Sequence, residues 1–145
     1  MSRRKARILA FQALYSWDVN KAPLEELNSF SWLEKTTGEE AIVTTEEEKG
    51  FASIVVSGTI DHIDEIDTCI KEHLSSNWSF GRLNKVTLAI LRFSIYEMKY
   101  QKDVIPGVVI DEAVNIAKEF GPDDSFKFIN AVLDKIGKNE SSDKA

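Results

Sequence analysis

Apolar residues recur at helical spacing along almost the whole 145-residue chain, and alternating strand patterns are missing apart from a short "DVIPGVVI". Recurrence at i, i+3 or i+4, and i+7 gathers side chains into one stripe only on an α-helix. The 7 glycines and 3 prolines fall mainly between the periodic segments, where they punctuate rather than interrupt. Helices with no strands between them must bury their stripes against one another. The expected fold class is therefore all-α, with two small packed helical bundles.

The first helix is predicted over Arg3 to Val19, with Ser2 as its N-cap. At 100° per residue Ala6, Leu9, Ala10, Ala13, Leu14 and Trp17 form one apolar arc. Arg3, Arg4 and Arg7 fall on another side, grouped with Phe11 and Tyr15. A shorter helix is expected over "PLEELNSFSWLEK", with Leu24, Leu27, Phe30 or Trp32, and Leu33 turned inward. Thr45 and Glu48 have capping-box spacing, and Glu46 to Glu48 suit the positive end of a helix dipole. One long helix follows, or two with a break near Gly58.

"SSNWSFGRLN" breaks the pattern and marks the expected boundary. It divides the chain into residues 1–80, carrying the basic first helix, and residues 81–137. Asn84 caps "KVTLAILRFSIYEMKY", which is apolar almost all round and therefore central. Pro106 suits a first helical turn. Val109, Ala113, Ile116 and Phe120 line the next helix, and Gly121 ends it. A last helix, opening on capping acids, runs to Gly137. Residues 138–145 read as a disordered tail.

The net charge is −6, but it is unevenly placed. Residues 1–17 carry +4, residues 25–67 carry −10, and the remainder cancels. A partner senses the local field, because screening acts within about 10 Å at physiological salt. Cations at a helix N-terminus oppose the macrodipole at a cost of a few tenths of a kcal/mol. Such placement suits a ligand better than it suits the helix. Arginine forks grip phosphate oxygens, and Tyr15 on the same face offers stacking to an unpaired base. The residues thus point to single-stranded RNA.

Catalytic chemistry finds little support. His62 and His73 lie eleven positions apart, about three helical turns, too far to share a metal. Cys69 has no partner cysteine and sits among apolar positions, as a structural thiol does. No phosphate-binding glycine loop, H-E-x-x-H or G-x-S-x-G occurs. The adjacent carboxylates Glu25/Glu26 and Asp123/Asp124 point different ways on a helix. The expectation is no enzyme, no cofactor and no metal. No apolar run approaches the ~20 residues of a membrane span, and the basic start lacks an apolar signal core, so the expected location is cytoplasmic.

Three stretches together, "RRKARILAFQALYSWD", "LAILRFSIYEMKY" and "IPGVVIDEAVNIAKEFGPDDSFKFINAVLDKI", resemble the NusB family of transcription antitermination factors. The resemblance implies two helical subdomains that bind boxA, a single-stranded RNA element of ribosomal RNA leaders. It implies joint binding with the ribosomal protein NusE, in an RNA polymerase complex that includes NusA and NusG. By motif, Arg3, Arg4, Lys5 and Arg7 would meet phosphates. Tyr15 and Arg92 would lie along the RNA path, and Asp124, Ser125, Lys127 and Phe128 would complete it. Asp124 also suits a helix N-cap, and Phe128 a core aromatic. Ala131 departs from the family pattern, which has glycine there, and bears on close packing of that helix. The same fold forms the N-terminal domain of ribosomal RNA cytosine methyltransferases. No βαβ region follows here, and a free-standing factor is expected. A protein-binding helical adaptor without RNA contact is the alternative.

Overall fold

The computed structural model describes residues 2–30, 45–101 and 103–144. Among them are seven α-helices and no strand: α1 Arg3–Asn20, α2 Leu24–Ser29, α3 Glu46–Asp61, α4 Ile63–His73, α5 Lys85–Tyr100, α6 Pro106–Phe120 and α7 Ser125–Lys144. Trp32 and Leu33 of the expected second helix lie outside the described residues. Among the described residues no helix is long and apolar enough to cross a membrane.

The helices start where local chemistry says they should. Ser2 Oγ accepts from the Lys5 amide at 3.2 Å, and Asn84 Oδ1 accepts from Val86 and Thr87 at 2.9 and 3.3 Å. Thr45 and Glu48 form a reciprocal capping box on α3. Pro106 opens α6 at a position whose missing N–H is not needed.

α5 is the centre. Every residue from Thr87 to Ile95 is buried, as are Glu97 and Met98. It packs against α1, α3 and α4 on one side of the chain's midpoint and α6 and α7 on the other. The stripes Val109/Ala113/Ile116/Ala117 of α6 and Ile129/Val132/Leu133/Ile136 of α7 close over it. The buried apolar residues of both halves form one cluster. The passage from α4 to α5 runs through 74–84, with a single 3₁₀ turn at Phe80–Arg82.

The structure departs from the sequence reading at four places. The break between α3 and α4 falls at His62, not Gly58. There Thr59 Oγ1 donates back to the Val55 carbonyl at 2.6 Å, a bond that bends helices, and the His62 ring stacks on Tyr100 with centroids 3.9 Å apart. Gly58 is needed for space instead: a Cβ on it would overlap the Tyr96 ring. Gly137 does not end α7. A Cβ there would sit in ordinary van der Waals contact with Pro106 and Ile110, 3.5 Å from each, so α7 runs on beside the start of α6 without requiring glycine. The helix continues through the stretch read as a disordered tail as far as Lys144, and Glu140 accepts from Lys99 Nζ at 2.7 Å. Leu24, expected inward, is exposed, whereas Leu27 and Phe30 are buried.

Gly58→Ala should lower the unfolding free energy by about 1–3 kcal/mol, the usual cost of overpacking. Urea unfolding followed by circular dichroism measures it, and an unchanged midpoint would contradict the tight α3–α5 approach.

Candidate nucleic-acid interface

α1 begins with cations and no acid in its first turn. Its compensation comes from α3. The Glu48 carboxylate accepts from the Ser2 amide at 2.6 Å and from the Thr45 amide at 2.9 Å. Glu48 is 3% exposed. The backbone amides of Thr45 and Ser2, against a smaller opposing effect of burial, hold its carboxyl below the usual range, with Lys5 adding attraction. One turn on, the Phe51 ring seats the Arg3 guanidinium 4.2 Å above its centroid. Arg4 Nη2 pairs with Glu119 of α6 at 3.3 Å, with both side chains about half exposed. Arg3, Arg4 and Lys5 are all exposed.

Arg7, expected to meet phosphates with them, does not join them at the surface. It is 7% exposed, and its guanidinium forks onto the fully buried Glu97, with Nε 3.0 Å from Oε2 and Nη2 3.1 Å from Oε1. Burial pushes the Glu97 carboxyl up, and the Arg7 fork opposes it. Arg92, expected along an RNA path, is likewise buried. Its Nε and Nη2 each donate to Asp67 at 2.9 Å, its Nη1 lies 3.4 Å from Asp18, and Trp17 covers it at 5.6 Å. Phe11, grouped with the arginines by helical angle, is buried against Phe120 of α6, with centroids 5.4 Å apart. Tyr15 stays half-buried at the edge of the core.

The last turn of α6 links α1 to the start of α7. Glu119 and Phe120 reach α1, while Lys118 reaches over Phe126 of α7 at 5.0 Å. Gly121 closes α6 in extended conformation. A side chain there would meet Ser125 Oγ at 2.5 Å and the Ala117 carbonyl at 2.8 Å. Asp124 takes φ 65°, a left-handed conformation that aspartate tolerates better than most residues. Its carboxylate lies 3.5 Å from Lys127 Nζ, and both are largely exposed. Lys127 also reaches Phe126 at 5.9 Å, so two lysines bracket one ring. Phe128 is half-buried and meets Trp78 with centroids 5.0 Å apart. Asp124, Ser125 and Phe128 line a cavity of about 330 Å³ together with Trp78, Asn84 and Thr87. Ser125 Oγ is buried there with no hydrogen-bond partner.

Sequence reasoning missed Trp78 and Lys118. Trp78 sits in the segment read as a boundary, and Lys118 is nine positions from Lys127 with no motif joining them. Only the docking of α6 on α7 makes Lys118 and Lys127 neighbours. Ala131, flagged for close packing, is exposed on α7, so its methyl crowds nothing.

The histidines and cysteine are structural. His73 donates from Nδ1 to the Cys69 carbonyl at 2.8 Å and accepts at Nε2 from Asn139 at 3.0 Å. Cys69 is buried, which pushes its thiol up. Among the described residues no group of three or more His, Cys, Asp or Glu side chains is placed to hold a metal ion.

Removing Glu97 leaves a buried, unmatched guanidinium. Glu97→Gln should therefore cost about 3–5 kcal/mol of stability. Lys127→Ala, at an exposed pair, should stay within about 0.5 kcal/mol. Parallel urea titrations compare them, and equal effects would contradict the burial of the Arg7 pair.

Known proteins share this arrangement. The NusB family model matches residues 4–138. A Treponema denticola protein named transcription antitermination protein NusB is 52% identical over 143 residues, covering 97% of this chain and 98% of its own. The solved structure of T. maritima NusB is 33% identical, with a TM-score of 0.79 over 95% of this chain and 92% of that one. A structure of the antitermination factors NusB and NusE in complex with double-stranded RNA gives 31% identity and a TM-score of 0.78, covering 94% and 96%. With its helices, their order and nearly its whole length matched, the chain belongs to the NusB family.

Proposed function

We propose that this protein is a transcription antitermination factor that binds single-stranded boxA-type RNA of ribosomal RNA leaders together with the ribosomal protein NusE. The observation that carries the reading is the separation of cations by burial. Arg7 and Arg92 are matched inside the fold, whereas Arg3, Arg4 and Lys5 remain at the surface of a helix start whose dipole opposes their charge. The last turn of α6 contacts both helices, Glu119 pairing with Arg4 and Lys118 lying over Phe126, and Lys127 supplies a further cation at the α7 start. Phe128 and Trp78 offer partly exposed rings to unpaired bases, Tyr15 adds a third, and Asp124 offers polar contacts to base edges or sugars beside the cavity that Ser125 lines. Bound to RNA and NusE in the cytoplasm, the protein joins an RNA polymerase complex containing NusA and NusG and helps it resist termination. It carries out no catalysis of its own.

Arg3→Ala/Arg4→Ala/Lys5→Ala should weaken binding to a boxA-type oligonucleotide and reduce the slope of log K against log salt by about 2, at roughly 0.7 for each phosphate no longer neutralised. Fluorescence anisotropy at a series of salt concentrations measures this, and an unchanged slope would remove α1 from the RNA path. A protein-only adaptor predicts that outcome together with intact NusE binding. Titration with NusE should give a complex at micromolar concentration, and its absence would sink the partner assignment. A duplex of the same sequence should bind less tightly than the single strand, because paired bases cannot stack on Trp78 and Phe128.

A further inference from the structure

The α1 cations are held by groups that sequence proximity does not supply. The first two turns of α3 provide two of them. Glu48 binds the Ser2 amide at the N-cap of α1, and Phe51 seats Arg3. The same carboxylate binds the Thr45 amide, so one buried group closes the N-termini of two helices at once. A helix start has free amides and frays within its first turn unless capped. Three exposed cations repel one another there and oppose the helix dipole, so this turn has the most to gain from an outside clamp. Ser2 Oγ caps only the Lys5 amide, and the residue bearing it is itself tethered through Glu48.

We propose that Glu48 is a positioning residue for nucleic-acid binding, fixing the first turn of α1 so that Arg3, Arg4 and Lys5 meet the phosphates in one arrangement. The proposal rests on the RNA-binding reading above. Glu48 touches no phosphate and acts through the Ser2 amide. Ordering the cations in the free protein removes that cost from the binding step. The sign of its effect is diagnostic. Glu48 is an anion that attracts Lys5, so through electrostatics alone it opposes RNA, and neutralising it would tighten binding. As a clamp it does the reverse.

Glu48→Gln and Glu48→Asp in the full chain test this. The first removes the charge. The second keeps the charge but is one methylene shorter, which cuts its reach to Ser2. Both should weaken binding of a boxA-type single strand by roughly three- to tenfold with the salt slope unchanged, because the cations remain but are no longer ordered. Amide hydrogen exchange at Lys5 and Ala6 should quicken several-fold in both, measured well below the unfolding midpoint. Tighter or equal RNA affinity in Glu48→Gln overturns the proposal, as does unchanged exchange. A lower melting temperature with unchanged affinity would make Glu48 a stability residue only and also overturns it. If the unaltered protein binds no RNA, the functional reading fails, and the exchange arm still decides whether Glu48 holds the α1 turn.

Discussion

The structure depends on one helix that has no outside. From Thr87 to Ile95 α5 buries every side chain, so it must be surrounded, and two of the side chains it buries along its length are charged. Arg92 and Glu97 cannot stay buried unless their charges are met, since an unmatched charge costs several kcal/mol. Those two groups therefore specify their neighbours. Glu97 takes Arg7 near the start of α1, and Arg92 takes Asp18 near its end together with Asp67 of α4. Contacts from Arg7 to Glu97 and from Asp18 to Arg92 and Lys85 lay α1 antiparallel along α5 and fix its register. Apolar packing alone leaves such a register looser, because one leucine resembles another.

The same ion pairs divide α1 into two kinds of cation. The four basic residues look alike in sequence, yet Arg7 is consumed by the fold while Arg3, Arg4 and Lys5 remain at the surface. α6 then acts as a bridge. Its last turn gives Phe120 and Glu119 to α1 and Lys118 to α7, so one turn touches two helices far apart in the chain. The overall negative charge does not conflict with a nucleic-acid ligand, because the acidic excess belongs to residues 25–67 and screening confines its effect.

The membership of the chain in the NusB family and the physical reading of its surface meet at the α1 and α7 starts. They part at Arg7 and Arg92, which lie in the stretches that resemble the family and which this fold binds to carboxylates. A motif records every constraint on a position, and structural constraints are as strict as binding ones. Burial separates the two, since a cation bidentate to a buried carboxylate has little left to give a phosphate.

By itself the sequence determined the helical class, the caps at Ser2, Thr45–Glu48 and Asn84, the centrality of α5 and the basic start. These follow from interactions between residues a few positions apart, which spacing records directly. Tertiary structure decided which cations stay at the surface, since the partner of Arg7 lies ninety positions away at Glu97. It moved the α3–α4 break to His62, where a stacked Tyr100 arrives from α5, and carried α7 past Gly137 along the start of α6. It placed Trp78 beside Phe128 and Lys118 beside Lys127. It also turned Glu48 from the cap of its own helix into the clamp of another. Spacing within a helix holds no information about which distant helix will dock against it.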